Sequence, residues 1–161
     1  MNIHIVKAQK SDFHTVNSIV REGHDEHAIA LPHVFKQVEE VMPYNYFCEL
    51  LDDSASDILL AKINEEVVGF AVMEIAESPT FESMTPRKFA YMNDFGVKEA
   101  YHRHGIGKQL FQACVDWANT NDVHHLELNV WEFNEKAILF YEKFGLKTVS
   151  RKMSIPLRGE K

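Results

Sequence analysis

Long apolar segments and cysteines are both scarce in this chain of 161 residues. No apolar run approaches the ~20 residues that a membrane-spanning helix needs. The opening MNIHIVKAQKSDF has no extended apolar stretch of the kind that secretory signals carry. The two cysteines, Cys48 and Cys114, are far apart and form no CxxC motif, which favours reduced thiols over a structural disulfide. We therefore expect a cytoplasmic protein with no membrane partner.

Positive charge is also in short supply. The chain has 17 Lys and Arg against 24 Asp and Glu, a formal net charge of -7. This balance argues against a broad phosphate-binding face, so no nucleic-acid partner is expected. An acidic cleft would attract cationic amines, although mild acidity also simply keeps a protein soluble. Internal repeats, low-complexity tracts and linker-like segments are absent, and the length fits a single domain over residues 1–161.

The hydrophobic periodicity predicts an α/β protein in which helices pack on a mixed sheet. Ser11 is the predicted N-cap of the first helix, Pro32 is expected to break helical fragments within residues 23–37, and Gly145 is expected to end the last helix. Other helices are predicted at about 43–52, 106–120 and 134–144. The predicted strands are 3–8, 57–63, 67–75, 89–97, 125–130 and 146–157.

A short glycine-containing turn lies between the strand that ends at Val97 and the following helix. Gly105 and Gly107 let the backbone approach a ligand closely, and the free N–H groups of the first helical turn suit a phosphate. A lone Gly-x-Gly is often only a turn. Two sharper nucleotide motifs are excluded, because a dinucleotide fingerprint needs glycine at Leu110 and a P-loop needs Ser or Thr at Gln109.

A second motif follows about 30 residues later, where Asn134, Ala137, Tyr141 and Gly145 follow one another at spacings of three, four and four, and Leu146 comes directly after Gly145. Together with the glycine turn, this order resembles the GNAT acetyltransferase superfamily, and the resemblance covers residues 89–148. The chain departs from the family pattern at two places. His102 stands where the family has Arg or Gln, and Leu146 replaces the family's final aromatic residue.

The resemblance implies the GNAT acyltransferase fold, a mostly antiparallel central sheet with a V-shaped splay, flanked by helices. It also implies acetyl-CoA as co-substrate and no metal. The pantetheine arm of CoA would pair with the backbone of the strand as an added strand does. The residues expected to contact CoA are Phe95, Gly96, Val97, His102, Arg103, His104, Gly105, Ile106, Gly107, Lys108, Asn129, Asn134, Ala137 and Tyr141.

Transfer of acetyl from a thioester requires an acid for the thiolate, a donor for the oxyanion and a base for the amine. By resemblance, Tyr141 reaches the sulfur and is the candidate general acid. The backbone N–H near Val97 is the candidate oxyanion donor. The two glutamates that act as bases in related families fall on Asn93 and Asn129. Two kinds of base therefore remain for the amine. A nearby carboxylate, Asp94 or Glu127, can act directly, or a water held by Asp94, Asn93 or Asn129 can relay the proton.

The resemblance also implies that the segment after the first helix borders the acceptor. His24, Glu26, Tyr44 and Asp94 are therefore predicted to bind the substrate, and Asp25, Tyr46 and Phe47 to shape the same region. The alternative is an exposed polar helix end with aromatics in the core. His24 and His27 share a helix face, but no third ligand accompanies them at a suitable spacing, so no metal site is predicted.

The resulting hypothesis is an enzyme that acetylates a primary amine of a small molecule, such as a polyamine, amino sugar or amino acid. The motif segment is most similar to diamine and polyamine acetyltransferases. One alternative is a protein N-terminal or lysine acetyltransferase. A second alternative is a non-catalytic acyl-CoA-binding domain. A homodimer is consistent with the resemblance alone.

Overall fold

The computed structural model describes residues 2–158, which contain five strands and four α-helices. In chain order these are β1 (Ile3–Lys7), α1 (Phe13–Ala30), α2 (Tyr44–Asp52), β2 (Ser56–Ile63), β3 (Glu66–Glu77), β4 (Lys88–Val97), α3 (Ile106–Thr120), β5 (Leu126–Leu128) and α4 (Glu135–Lys143). Single 3₁₀ turns lie at Lys10–Asp12 and Glu99–Tyr101. The chain forms two compact units, Met1–Asn129 and Val130–Lys161.

The first unit holds a mixed sheet with the strand order β1-β2-β3-β4-β5. The first four strands pair antiparallel, and β5 joins β4 in parallel. Asn64, with φ 56, and Glu65 connect β2 to β3, with Ile63 opposite Glu66. The mixed, mostly antiparallel sheet that the sequence predicted is thus confirmed.

Two buried layers fix the helices to the sheet. On one face, α1 and α2 bury a cluster with apolar side chains of β2 and β3, including Val16, Phe47 and Val72. The helix α3 buries Leu110, Phe111 and Cys114 through its own apolar stripe. Burial raises the pKa of the Cys114 thiol to about 12. Neither cysteine is in a disulfide, as expected.

Three local predictions were wrong. Ser11 does not cap α1: it lies inside the 3₁₀ turn, where the Gln9 N–H donates to the Asp12 carboxylate at 2.8 Å. Helical structure does end before Pro32, as predicted, but residues 23–30 form no separate fragment: they continue α1, which runs unbroken to Ala30 because its apolar contacts outweigh the cost of Gly23. Residues 146–157 belong to none of the five strands, since alternating apolar residues give a strand tendency but not the hydrogen-bonded neighbour that a strand needs.

The second unit contains α4, which has both predicted ends. The Asn134 side chain accepts a hydrogen bond from the Ala137 N–H at 3.3 Å and caps the helix. Gly145, at φ 96, ends it: the Gly145 N–H donates to the Glu142 carbonyl and the Leu146 N–H to that of Tyr141, as in a Schellman motif. Within residues 2–158, no helix combines the length and the apolar character required to cross a bilayer.

Candidate active site

The strand β4 contains a bulge at Asn93. Asp94 lies opposite Val72 and Met92 lies opposite Met73, so Asn93 is the extra residue on β4. Pairing between β4 and β5 ends at the same place, with Met92 opposite Leu128. Bulges re-aim side chains and are frequent beside active sites. Beyond the bulge, β4 has one edge without a neighbouring strand among the described residues, which is where the predicted splay would lie.

The open edge of β4 offers few free backbone groups. The Lys98 N–H donates to the Val68 carbonyl on β3 at 2.8 Å, so by strand alternation the Val97 N–H is directed toward the open edge. The Val97 carbonyl accepts a hydrogen bond from Nε2 of His102 at 2.7 Å. The Phe95 N–H donates to Oδ1 of Asp94 at 2.9 Å. Of the predicted pantetheine contacts, the Val97 N–H therefore remains directed outward, while the Phe95 N–H is already used.

Asp94 lies on the sheet face that α1 and α2 cover, because its cross-strand partner Val72 belongs to that buried cluster. The carboxylate is half-buried. Burial raises the pKa of Asp94, and the Phe95 N–H and the nearby charges of His27 and His24 partly offset the increase. A carboxylate held above its ordinary pKa is a stronger base than a solvated one, which suits proton abstraction.

The two histidines are held in fixed orientations. His24 donates through Nε2 to the Lys36 carbonyl, and His27 donates through Nδ1 to the Gly23 carbonyl, each at 2.7 Å. The Phe35 ring contacts both imidazoles edge-on, at centroid distances of 5.6 and 5.8 Å. The segment after α1 therefore packs back on the part of the helix that acts electrostatically on Asp94.

The tyrosine of α2 that interacts with Asp94 is Tyr46, which the sequence predicted to shape the acceptor region, whereas Tyr44, the predicted substrate residue, interacts with Cys48. Burial and the charges of Glu74 and Asp94 raise the pKa of Tyr46. Tyr44 instead packs edge-on against Phe13 at 5.0 Å, and a hydrogen bond with Cys48 raises its pKa. The α2 helix begins with Tyr44, so both tyrosines fall in its first turn. Sequence alone gave no reason to prefer one of them.

Two further polar residues near β4 are engaged elsewhere. Glu127 is ion-paired with Arg87 at 2.7 Å, which removes it as a free base. Asn129 donates from Nδ2 to the Tyr91 hydroxyl at 2.6 Å. Predicted substrate residue Glu26 is exposed on α1. Asp94 is therefore the acidic candidate that the structure places with His24 and His27.

The glycine turn has a backbone conformation suited to an anion. Arg103 and Gly105 have left-handed φ values of 66 and 78. Such a conformation costs about 1–3 kcal/mol for a non-glycine residue, and such strain clusters at functional sites. Gly105 precedes α3 and gives no side-chain cap, so the N–H groups of Ile106, Gly107 and Lys108 lack helical partners. Together with Arg103, His104 and Lys108, this turn suits a diphosphate.

Gly96 on β4 has a packing role. A Cβ on Gly96 would lie 3.0 Å from the Phe70 ring and 3.5 Å from Ile19. Gly96 therefore lets the α1 side of the core approach β4 closely. This contact explains a glycine there without any reference to a ligand.

A family model described as the acetyltransferase (GNAT) family matches residues 19–146. This chain belongs to the GNAT family of acetyltransferases. An N-alpha-acetyltransferase of Sulfurisphaera tokodaii is 31% identical over 113 residues, which cover 68% of each chain. An L-ornithine N5-acetyltransferase of Arabidopsis thaliana is 29% identical over 109 residues, covering 68% of this chain and 46% of that protein.

The solved structures agree with this assignment. A tetramutant of the BH1408 protein from Bacillus halodurans superposes with a TM-score of 0.92 and is 26% identical, covering 96% of this chain and 99% of that one. The protein is thus an acyltransferase with the GNAT fold, and GNAT acetyltransferases use acetyl-CoA. These relatives differ in the acceptor that their names state, since one is an N-alpha-acetyltransferase and the other an L-ornithine N5-acetyltransferase.

In the second unit of this GNAT protein, Tyr141 is a half-buried residue of α4 and packs edge-on against Phe140 at 5.5 Å. Asn134 and Ala137 are joined by the helix cap, so both have a structural role there. Their contacts to CoA, like that of Tyr141, stay predictions. Within residues 2–158, no group of three His, Cys, Asp or Glu side chains is arranged to hold a metal ion.

Gly105→Val is expected to weaken CoA binding by about tenfold or more. No atom lies within 4 Å of a Cβ built at Gly105, so the penalty comes from its φ of 78 and from the side chain entering the ligand's space. Gly23→Ala is the control: its Cβ also meets nothing within 4 Å, and its helical backbone favours alanine. Calorimetric titration with CoA checks both; equal affinities in the two variants would contradict a ligand role for the turn.

Proposed function

We propose that this enzyme transfers acetyl from acetyl-CoA to a primary amine of a small molecule, such as a polyamine, amino sugar or amino acid, within a ternary complex. The observation that carries the proposal is the position of Asp94. It is a half-buried carboxylate with a raised pKa, directly after the bulge where the edge of β4 opens. A base at that point would face an amine approaching the open edge.

The reaction needs each proton and bond accounted for. Asp94 would take a proton from the ammonium group of the acceptor on Oδ2, because Oδ1 already accepts the Phe95 N–H. The neutral amine then attacks the acetyl carbon, so a C–N bond forms and the C–S bond breaks. The Val97 N–H would donate to the oxyanion of the tetrahedral intermediate, and Tyr141 would give its phenolic proton to the departing thiolate. The attacking nitrogen would pass its remaining excess proton through water to the Tyr141 phenolate, and Asp94 would release its proton to solvent, which leaves a neutral amide, the CoA thiol and the original enzyme. Asn93 and Asn129 remain candidates to hold a relay water.

The residues around the glycine turn would bind the diphosphate of CoA. The amides of Ile106, Gly107 and Lys108 would hold the diphosphate of CoA, and Arg103, His104 and Lys108 would add positive charge. His102 would act indirectly, because its ring donates to the Val97 carbonyl and closes the loop on the end of β4. The substitution of His102 for the family's Arg or Gln would therefore preserve the loop.

The preference for a small acceptor rests on the segment between α1 and α2. Phe35 packs on His24 and His27, and Asn17 accepts the N–H groups of Val41 and Met42 at 3.0 and 3.1 Å. This segment is thereby tied to α1 beside the histidines that act on Asp94, and would restrict a bulky acceptor. The ornithine-acetylating relative is consistent with a small amine, and the N-alpha-acetyltransferase keeps a protein acceptor as the rival. Cytoplasmic location and a homodimer stay predictions.

A CoA-thiol release assay tests the proposal across polyamines, aminoglycosides, amino acids and peptides of matched amine concentration. Turnover of at least one small amine, well above that of any peptide, is expected. Turnover restricted to peptides would favour the protein-acetylating alternative. CoA binding with no turnover of any amine would favour the non-catalytic alternative.

A further inference from the structure

One hydrogen bond joins the helix that carries the acceptor-side histidines to the loop that leads into the glycine turn. Oε2 of Glu22, on α1, accepts the backbone N–H of Glu99 at 2.8 Å, across 77 positions of sequence. Glu99 begins the 3₁₀ turn Glu99–Tyr101, and His102 follows it at once. Glu22 therefore supplies the acceptor for the first amide of this turn, which has no helical partner of its own.

The same helix also interacts with Gly96 and Asp94 on β4. Ile19, three residues before Glu22, packs on Gly96 of the cofactor strand. His24 and His27, two and five residues after Glu22, act on the charge of Asp94. Successive turns of α1 thus contact β4 at Gly96, bind the loop at Glu99 and interact electrostatically with Asp94. Glu22 is the point at which α1 meets the loop.

The other supports of this loop come from the sheet. Glu66 on β3 forms an ion pair with Lys98 at 3.7 Å and a hydrogen bond with the Tyr101 hydroxyl. The Lys98 N–H donates to the Val68 carbonyl at 2.8 Å. These contacts fix the loop to β3 and do not involve α1. The loop is therefore held by the sheet through Glu66 and linked to the acceptor helix through Glu22.

We propose that Glu22 is a positioning residue that couples CoA binding at the glycine turn to the ordering of α1 on the acceptor side. The inference rests on the proposed function, in that the turn must bind CoA. CoA that orders the glycine turn would also fix the preceding loop at Glu99. The hydrogen bond from the Glu99 N–H to Glu22 would then restrain α1. The acceptor side is ordered before the amine arrives, which favours binding in the order CoA and then amine.

Hydrogen–deuterium exchange with CoA as the probe tests this coupling without knowledge of the acceptor. In the wild-type protein, CoA is expected to slow exchange both in residues 103–108 and in the second half of α1. In Glu22→Ala, CoA should still protect the turn but no longer protect α1. CoA affinity should fall by about three- to tenfold, the effect expected for loss of one solvent-exposed hydrogen bond.

Three further variants distinguish the coupling through Glu22 from a general loosening of the loop or of α1. Glu22→Gln keeps a carbonyl oxygen as acceptor and should retain protection of α1. Glu66→Ala loosens the loop from the sheet and should weaken CoA binding while α1 still responds to CoA. Arg21→Ala, on an exposed neighbour in the same helix, should behave as the wild type.

The possible results lead to different conclusions. Equal protection of α1 in the wild type and in Glu22→Ala overturns the role of Glu22, as does a wild type in which CoA protects the turn alone. A wild type in which CoA leaves the turn unprotected overturns the binding role of the turn as well. The failure of the proposed function is therefore visible at residues 103–108, separately from the failure of the coupling.

Discussion

Asp94→Asn is expected to lower kcat by about 10²- to 10³-fold with the best amine of the panel, while CoA affinity changes little. The amide is close in shape to the carboxylate and can still accept the Phe95 N–H, but it cannot take a proton from the ammonium group. Initial rates of CoA-thiol release and calorimetric titration with CoA provide the two measurements. Asn93→Ala separates the two mechanisms, because a much smaller loss in that variant supports direct action by Asp94.

Asp94→Asn is also expected to raise the stability of the folded protein near pH 7. The folded-state pKa of Asp94 is raised, so the folded protein binds this proton more tightly than the unfolded chain does. Wild-type stability therefore falls as pH rises from the ordinary aspartate pKa through the raised value. Asp94→Asn lacks this loss, so it should be more stable than wild type near pH 7, with the difference shrinking toward pH 4. If urea unfolding at pH 7 shows Asp94→Asn to be less stable than wild type, burial does not raise the pKa of Asp94.

The pH dependence of the rate follows from the same shift. A base must be deprotonated to act, so kcat/KM should rise with pH through the raised pKa of Asp94 before it levels. In Asp94→Asn, this rising limb should vanish from the residual activity. Persistence of the limb would assign it to another group.

Tyr141→Phe is expected to lower kcat by about 10²-fold or more, with the CoA dissociation constant within about twofold of wild type. The change removes only the phenolic proton that the proposed mechanism gives to the thiolate. The ring, which packs on Phe140, stays in place. Steady-state kinetics and calorimetric titration with CoA check the two parts of this result separately.

Tyr91→Phe is the matched control, since it also removes one hydroxyl, in this case the one that accepts from Asn129. We expect a change in kcat of no more than about threefold. Similar losses in both tyrosine variants would mean that Tyr141 has no special role. A leaving group that needs less protonation offers a second check, because Tyr141→Phe should lose less activity with an acyl donor of low thiol pKa.

The glycine turn and the helix that follows it could be predicted because their physics is local. A strand that ends before Gly105, and an amphipathic run from Ile106, determine a helix N-terminus with unpaired amides. The cap at Asn134 and the stop at Gly145 are likewise set by neighbouring residues. The family motif added the expected cofactor, which no composition or periodicity could supply.

The acceptor side could not be predicted in the same way. The bulge at Asn93 depends on the register between β3 and β4, and residue alternation does not specify that register. The choice of Tyr46 over Tyr44 depends on how α2 is rotated against the sheet. The ion pair of Glu127 with Arg87 joins residues 40 apart and removed a base candidate that the sequence had left open.

By itself, the sequence determined the order of the elements as far as α4, the glycine turn before α3 and the family, because short-range periodicity, glycine conformation and motif spacing are all readable along the chain. Only the tertiary structure decided which carboxylate is half-buried beside His24 and His27, which tyrosine interacts with it, and which acidic residue ties α1 to the loop before the turn. These properties arise from desolvation and from contacts between distant segments, which exist only after the helices have packed on the sheet.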